Sequence, residues 1–163
     1  MRTKGKELAM QMSPPDEHHK KLQALAGQWK GDEIMHPSPW NPESARATSK
    51  ANAKMGLGGF FLIMEYEQFR NGQSSYSGHG VFGWDQAQGK YTMHWFDVMG
   101  MDPGAPALGT WEGNKLQFVK AHPMGHGRYT YEFKPDGSYT FRLENSQDGN
   151  NWMAFIDATF QRA

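Results

Sequence analysis

Cysteine is absent from this sequence of 163 residues. Without a thiol the chain forms no disulfide, binds no metal through thiolates and uses no cysteine nucleophile. The absence leaves the redox compartment undetermined, because a chain without thiols is compatible with oxidising and reducing surroundings alike.

Long apolar runs and net charge are lacking as well. No stretch is long and apolar enough to span a bilayer as a helix, and residues 1–12 are basic without the apolar core of a signal peptide. Seventeen Lys and Arg residues balance seventeen Asp and Glu residues, so no net field draws the protein to nucleic acid or to an anionic membrane. We therefore expect a soluble cytoplasmic protein with neither nucleic acid nor a membrane as its partner.

The length fits one domain with a sizeable core. Residues 1–13 are expected to be a disordered leader or tag, and residues 14–163 to form the folded domain. Ser13 and the prolines after it predict a short helix over residues 15–26, because serine caps helices well and proline is tolerated in the first turn. Gly27 is a typical helix stop. The narrow apolar stripe of this helix is suited to plugging the end of a barrel.

Aromatic residues, in contrast, make up 13% of the chain, and many lie in the central stretch. Runs at residues 60–70, 74–84 and 90–97 are rich in aromatic and long apolar residues and predict three strands. Asn71-Gly72 joins the first two and predicts a type I′ hairpin turn, which needs positive φ at both central residues. The third follows a turn that ends in glycine, so the three strands form an antiparallel meander.

The remaining segments show similar strand patterns, separated by turns at intervals of roughly ten residues. The other predicted strands cover residues 30–36, 45–55, 108–112, 115–121, 128–134, 139–144 and 152–161. Proline-rich loops at 36–42 and 99–107 interrupt them, because proline cannot donate to a strand ladder. The count of about ten strands after one short helix predicts an all-β, antiparallel barrel that closes on itself and so leaves no free edge.

Four stretches of sequence together resemble one family. They are a helix running into Gly27-x-Trp29-x-Gly31; Gly56-x-Gly58-Gly59-Phe60-Phe61-Leu62; Gly78-x-Gly80-x-x-Gly83-Trp84-Asp85 followed by Lys90-Tyr91-x-x-x-Trp95-x-Asp97; and Gly109-x-Trp111-x-Gly113. In this order they are similar to a bacterial calycin-like family of unassigned function, related to the lipocalin and fatty-acid-binding barrels. The resemblance implies an up-and-down barrel of about ten strands and no settled chemistry.

The alternation of side chains along each strand predicts which residues line the barrel interior. The candidate ligand-binding residues are Leu62, Met64, Tyr66, Tyr76, Phe82, His94, Trp95, Tyr131 and Phe141. His94 and Tyr66 are the predicted polar anchors, and Trp40 in the proline-rich loop is a candidate lid. The strand at 90–97 is apolar on both faces, so a one-residue shift exchanges His94 for Trp95 as the inward residue. Gly78 and Gly80 either relieve crowding where the sheet bends or leave room for a ligand.

Catalytic and metal sites receive less support. His94 and Asp97 are the candidates for proton transfer, although a role for Asp97 in capping loop amides is favoured. His122 and His126 are spaced like metal ligands on a helix, but Pro123 and Gly125 predict a loop, so no metal is expected. Haem-binding barrels of this broad class use a histidine near the C-terminus, where the last predicted strand has none. His94 and His79 are the remaining routes to haem, and no cofactor is expected.

The sequence therefore predicts a non-enzymatic barrel protein that binds a small apolar or amphipathic molecule. One alternative is an isomerase-like or cyclase-like enzyme that uses His94 or Asp97. Another is a packed barrel that acts as a homodimer, with Ile63 and Phe69 on its outer face hidden in the interface. Complete filling of the interior by aromatic side chains would exclude the binding hypothesis.

Overall fold

A computed structural model describes residues 13–163 and confirms an all-β fold with one short helix at its start. Ten antiparallel strands form a closed barrel in chain order, and the first strand pairs with the last. The predicted leader lies outside the described residues, apart from Ser13. The strands are β1 (Gly27–Met35), β2 (Ala45–Gly56), β3 (Phe61–Arg70), β4 (Gln73–Asp85), β5 (Lys90–Asp97), β6 (Ala107–Glu112), β7 (Lys115–His122), β8 (Gly125–Phe133), β9 (Tyr139–Ser146) and β10 (Met153–Arg162).

The helix is shorter than the sequence predicts. It comprises α1 (Glu17–Lys21) and one turn of 3₁₀-helix at Leu22–Leu25. Asp16 is the N-cap in place of Ser13, and its carboxylate accepts the His18 backbone N–H at 2.8 Å. Asp16 is the cap because the two prolines before it keep the chain extended up to that residue. The first free amides of the helix therefore lie next to the Asp16 carboxylate, which accepts their hydrogen bonds. The 3₁₀ turn carries the plugging contact, since Leu22 and Leu25 are completely buried.

Strand boundaries differ from prediction at two glycines. β1 begins at Gly27 and β8 at Gly125, three residues earlier than expected in each case. Both glycines have positive φ, 130° and 135°, and both nevertheless belong to the ladders, where Gly27 faces Ala53 and Gly125 faces His122. The sequence pattern predicts that each glycine interrupts the strand. In the structure the glycine starts the strand, in a conformation that other residues rarely adopt.

The hairpin at Asn71-Gly72 is confirmed as type I′, with φ of 51° and 76°. The register shifts next to it, between Gln68 and Phe69, which is typical of a β-bulge near a sheet end. No helix among residues 13–163 is long and apolar enough to cross a membrane.

The two ends of the barrel are packed differently. At the end closed by α1, inner side chains fill the space, and rings meet edge to face, as Trp29 and Tyr139 do at 4.7 Å. The largest completely buried side chains are Trp29, Tyr139, Phe82, Phe118, Leu22, Leu25, Leu62 and Leu116. At the opposite end Tyr66, Tyr76, Trp95 and Phe141 are half-buried, whereas Glu33, Met35 and Gln68 are buried. We call this end the mouth; it is formed by the connections at residues 36–44, 71–72, 98–106, 123–124 and 147–152.

Candidate functional site

The structure divides the predicted ligand-binding residues between the two halves of the barrel. Four of them lie on the inner face toward the mouth and are half-buried: Tyr66, Tyr76, Trp95 and Phe141. All but Tyr76 pack against the core. Four other predicted residues face inward nearer the helix, are at most 5% exposed and belong to the core itself: Leu62, Met64, Phe82 and Tyr131. The predicted residues nearer the helix are therefore buried, and those nearer the mouth remain partly exposed.

His94 is the member of the predicted set that lies elsewhere. On β5 it alternates with Met93 and Trp95, which face the core, and its cross-strand partner on β4 is Val81. Trp95, and not His94, is thus the residue of this strand that faces inward. The predicted placement of His94 inside the barrel was wrong. Hydropathy could not decide this, because both faces of β5 are apolar and only the closure of the barrel selects one.

Gly78 and Gly80 have a specific steric role. A Cβ at Gly78 would overlap the indole of Trp95, and a Cβ at Gly80 would lie 3.0 Å from the same ring. The two glycines therefore make room for a large side chain of the next strand, as glycines facing aromatic residues across a sheet do. They relieve crowding, as one of the two predictions states, and the side chain that needs the space is Trp95.

The mouth half contains a buried carboxylate, Glu33, which is not among the residues predicted from the sequence. Glu33 on β1 is 3% exposed. The Tyr66 hydroxyl donates to its Oε2, and Gln68 Nε2 donates to its Oε1 at 3.1 Å. Its neighbours on the adjacent strands are Ala47 and Ala158, whose short side chains leave the carboxylate room. The signal was the alternation from Trp29, which places residue 33 inward, but a charged residue is normally assigned to solvent.

A second carboxylate lies across the mouth. Tyr76 donates its hydroxyl to Asp97 Oδ2 at 2.8 Å, and Trp95 Nε1 donates to the Tyr76 oxygen at 2.7 Å. Asp97 Oδ1 accepts the backbone N–H of Met99 at 3.0 Å, so the predicted capping of loop amides by Asp97 is confirmed. The result is a chain of hydrogen bonds from indole to phenol to carboxylate at the end of β5.

The tyrosines at the mouth are held in the protonated form. Burial raises the pKa of Tyr66, and the negative charge of Glu33 raises it further. Burial likewise raises the pKa of Tyr76 and of Tyr129, with the Asp97 carboxylate adding to both. Because Tyr66 and Tyr76 keep their protons, they act as hydrogen-bond donors to Glu33 and Asp97 respectively.

Cations are scarce near these carboxylates. Within residues 13–163, no Lys, Arg or His nitrogen lies within ion-pair distance of Glu33 or Asp97. Arg70, the last residue of β3, is half-buried at the mouth, and its Nη2 contacts Met35 Sδ at 2.6 Å. The mouth thus combines aromatic faces with two carboxylates that only uncharged groups satisfy.

Exposed apolar side chains surround the mouth. Six of them, on three connections and the first residue of β10, are between 62% and 79% exposed: Trp40, Val98, Met99, Met101, Met124 and Met153. Methionine is flexible and adapts to irregular apolar partners. This set, which we call the apolar rim, presents a water-exposed apolar surface at the opening of the half-filled barrel.

The outer surface carries two open grooves, of about 1080 and 860 Å³. The larger runs from β7 through β10 and β1 to β2 and the turn at 71–72. It contains the ion pairs Arg128–Glu144 at 2.8 Å and Arg142–Asp157 at 2.7 Å. No group of three or more His, Asp or Glu residues is placed to hold a metal in the described part of the chain. His122 is the last residue of β7, and His126 is the second residue of β8. Residues 123–124 form the turn between the two strands.

Asp148 organises one connection of the mouth, and its protonation is expected to weaken the fold. Its Oδ1 accepts the backbone N–H groups of Asn150 and Asn151, each at 2.8 Å, and these bonds, with those from the Asn151 and Ser146 side chains, hold its pKa well below the ordinary 3.8. A depressed pKa stabilises the fold above the unfolded-state value and loses that contribution as pH falls through the folded-state value.

The stability gap between wild type and Asp148→Asn should therefore be full at neutral pH and shrink below about pH 4. Urea unfolding at a series of pH values measures the gap, and carbon-detected NMR of the carboxyl gives the pKa directly. A gap that is unchanged between pH 6 and pH 2 would contradict this role of Asp148.

Comparison with known proteins identifies a family and a fold. A family model described as "Protein of unknown function (DUF1579)" matches residues 14–162, and no curated protein matches the sequence. Among solved structures, the crystal structure of Rv2717c from M. tuberculosis is similar, with a TM-score of 0.68 at 14% sequence identity, covering 91% of this chain and 98% of that one. At this identity the likeness shows the fold alone.

Proposed function

The chain belongs to the DUF1579 family, whose function is unknown, and we propose that it binds a small amphipathic molecule in the mouth half of its barrel. The observation that carries this proposal is a set of half-buried aromatic rings on the inner face toward the mouth. Leu62 and Phe82 are completely buried, whereas Tyr66, Tyr76 and Trp95 remain half-buried around the opening.

The filled helix end limits the ligand to the mouth. An apolar group that enters can cover the exposed parts of the aromatic rings, and burial of such surface contributes about 25 cal/mol per Å² before the costs of ordering are subtracted. Tyr66 keeps its predicted role as a polar anchor, and the carboxylates of Glu33 and Asp97 replace His94 in that role. The apolar rim supports the proposal because it offers an entering molecule apolar contacts, and Trp40 on the rim remains our candidate lid.

The enzymatic alternative has weaker support. Its base cannot be His94 acting inside the barrel, because that side chain lies on the outer face. Asp97 has both oxygens engaged, with Tyr76 and with the Met99 amide, as expected of a structural carboxylate. The homodimer and the cytoplasmic location stay predictions, as does the closer relation to calycins.

The proposal is tested by titration with Nile red, an uncharged apolar dye whose emission rises in apolar surroundings. We expect saturable binding to the wild type and a loss of affinity of at least about tenfold in Trp95→Ala, because a large apolar contact is removed. Phe96→Ala is the matched control, since Phe96 is the next residue on the opposite face of β5 and is exposed.

Circular dichroism of both variants checks that the barrel is intact. Absence of saturable binding to the wild type would overturn the proposal. Equal losses in the two variants would also overturn it, because they would place the dye outside the barrel.

A further inference from the structure

We propose that the ligand carries an ammonium group, an amine or a quaternary ammonium, which binds between the aromatic rings and the carboxylates of Glu33 and Asp97. This inference rests on the proposed function and specifies the chemical class of its ligand. Four observations carry it: a buried carboxylate without a cation, a buried hydroxyl beside Tyr66, neighbouring aromatic rings and the position of Arg70.

Glu33 is a buried acceptor without a cation. Each of its oxygens accepts one hydrogen bond from an uncharged donor, Tyr66 on one side and Gln68 on the other. Each oxygen thus has an uncharged partner and no cation beside it. Burying a negative charge with only neutral donors is costly. A ligand cation would offset that cost, and no Lys, Arg or His of residues 13–163 forms an ion pair with Glu33 to do so.

Ser49 supplies an independent indication. It lies on β2 between Gly31 of β1 and Gln68 of β3, and it is 3% exposed. Its Oγ makes no hydrogen bond to any residue from 13 to 163. The oxygen projects over Gly31, where a Cβ would overlap it, and so faces the inner space beside the Tyr66 phenol. Its polar neighbour is the Tyr66 hydroxyl, and the Ser49 oxygen keeps a lone pair that a ligand amine could use.

The aromatic rings around the carboxylates add the second element of ammonium recognition. Tyr66 lies 6.0 Å from both Tyr76 and Trp95, measured between ring centroids. The faces of neutral tyrosine and tryptophan rings attract cations, and desolvation strengthens the attraction. Two carboxylates in the same space repel an anionic head group, so the charge pattern discriminates between ligands of opposite sign.

Two cations of the described chain lie on the inner side of this half of the barrel: Lys120, whose Nζ donates to the Pro103 carbonyl, and Arg70 at the edge. The Arg70 guanidinium contacts the Met35 sulfur and lies in no ion pair with Glu33 or Asp97. An anion-binding barrel would be expected to use this group as its anchor. A barrel that binds an ammonium group keeps the arginine away from the carboxylates, as is observed.

The test compares three ten-carbon amphiphiles by isothermal titration calorimetry at concentrations below micelle formation: decyltrimethylammonium, decanoate and 1-decanol. We expect decyltrimethylammonium to bind about 30-fold more tightly than decanoate, because the same charges attract one and repel the other. Glu33→Gln and Asp97→Asn should each reduce this preference about tenfold and leave 1-decanol affinity unchanged. Two variants are used because Glu33→Gln could perturb local folding.

Two controls complete the design. Glu65→Gln removes a carboxylate on the outer face, where it pairs with His79, and should leave the preference intact. Arg70→Gln should leave decyltrimethylammonium binding unchanged or tighter. Equal affinity for the three amphiphiles, or stronger binding of decanoate that Arg70→Gln abolishes, would overturn the ammonium inference while the proposed function stands. Failure of all three amphiphiles and of Nile red would overturn the proposed function itself.

Discussion

Trp29→Ala is expected to lower the free energy of unfolding by about 3–5 kcal/mol, the range for truncation of a large buried aromatic residue. Trp29 is 2% exposed and joins three parts of the filled end. Its Nε1 donates to the Leu25 carbonyl at 2.9 Å, its ring meets Tyr139, and the Arg162 guanidinium lies 4.4 Å from its centroid. The substitution therefore detaches the plug and leaves a cavity beneath it.

Urea unfolding followed by circular dichroism measures this loss. Trp40→Ala is the matched control, because Trp40 is 79% exposed and its truncation should change stability by less than about 0.5 kcal/mol. Trp29→Phe separates the contributions, since it keeps most of the apolar area and removes the hydrogen bond, which is worth about 1 kcal/mol. A loss below about 1 kcal/mol in Trp29→Ala would show that the plug is held by other contacts.

Gly78→Ala is expected to cost about 1–3 kcal/mol, the usual penalty for overpacking, although it adds a single methyl group. A Cβ at this position overlaps the Trp95 indole, so the ring must leave its place. Its movement breaks the hydrogen bond to Tyr76, which in turn holds Asp97. We therefore also expect weaker Nile red binding in this variant.

A double-mutant cycle isolates the cause. If the cost arises from the clash, Gly78→Ala should become nearly neutral when Trp95 is already alanine, giving an interaction energy close to the full penalty. Ser77→Ala, one residue away on the outer face, is the control and should be near neutral. An unchanged cost in the Trp95→Ala background would assign the penalty to the backbone instead of the ring.

Local patterns account for much of the fold. Asn71-Gly72 specifies its own turn, because the two residues tolerate the positive φ values that a type I′ turn requires. Alternation in β3 assigns Leu62 and Met64 to the core and Glu65 to solvent, as observed. The spacing of such segments is enough to count ten strands, and an antiparallel meander of that size closes to avoid free edges.

The site was harder to derive, because it depends on residues distant in sequence. Glu33 would be assigned to solvent by its charge, and its burial follows from Tyr66 and Gln68, more than thirty positions away, which supply its hydrogen bonds. Ser49 has no sequence signal at all, since its lack of a partner is a property of the packed interior.

The sequence by itself determined the class of fold, the number of strands, the hairpin turn and most inward faces, since these depend on neighbours within a few residues. Only the tertiary structure decided that His94 faces outward, that Gly78 makes room for Trp95 and that the barrel is filled at one end and open at the other. The physical reason is closure. Where both faces of a strand are apolar, or a charge has a distant partner, the local pattern is degenerate, and the packing of the whole barrel selects one arrangement.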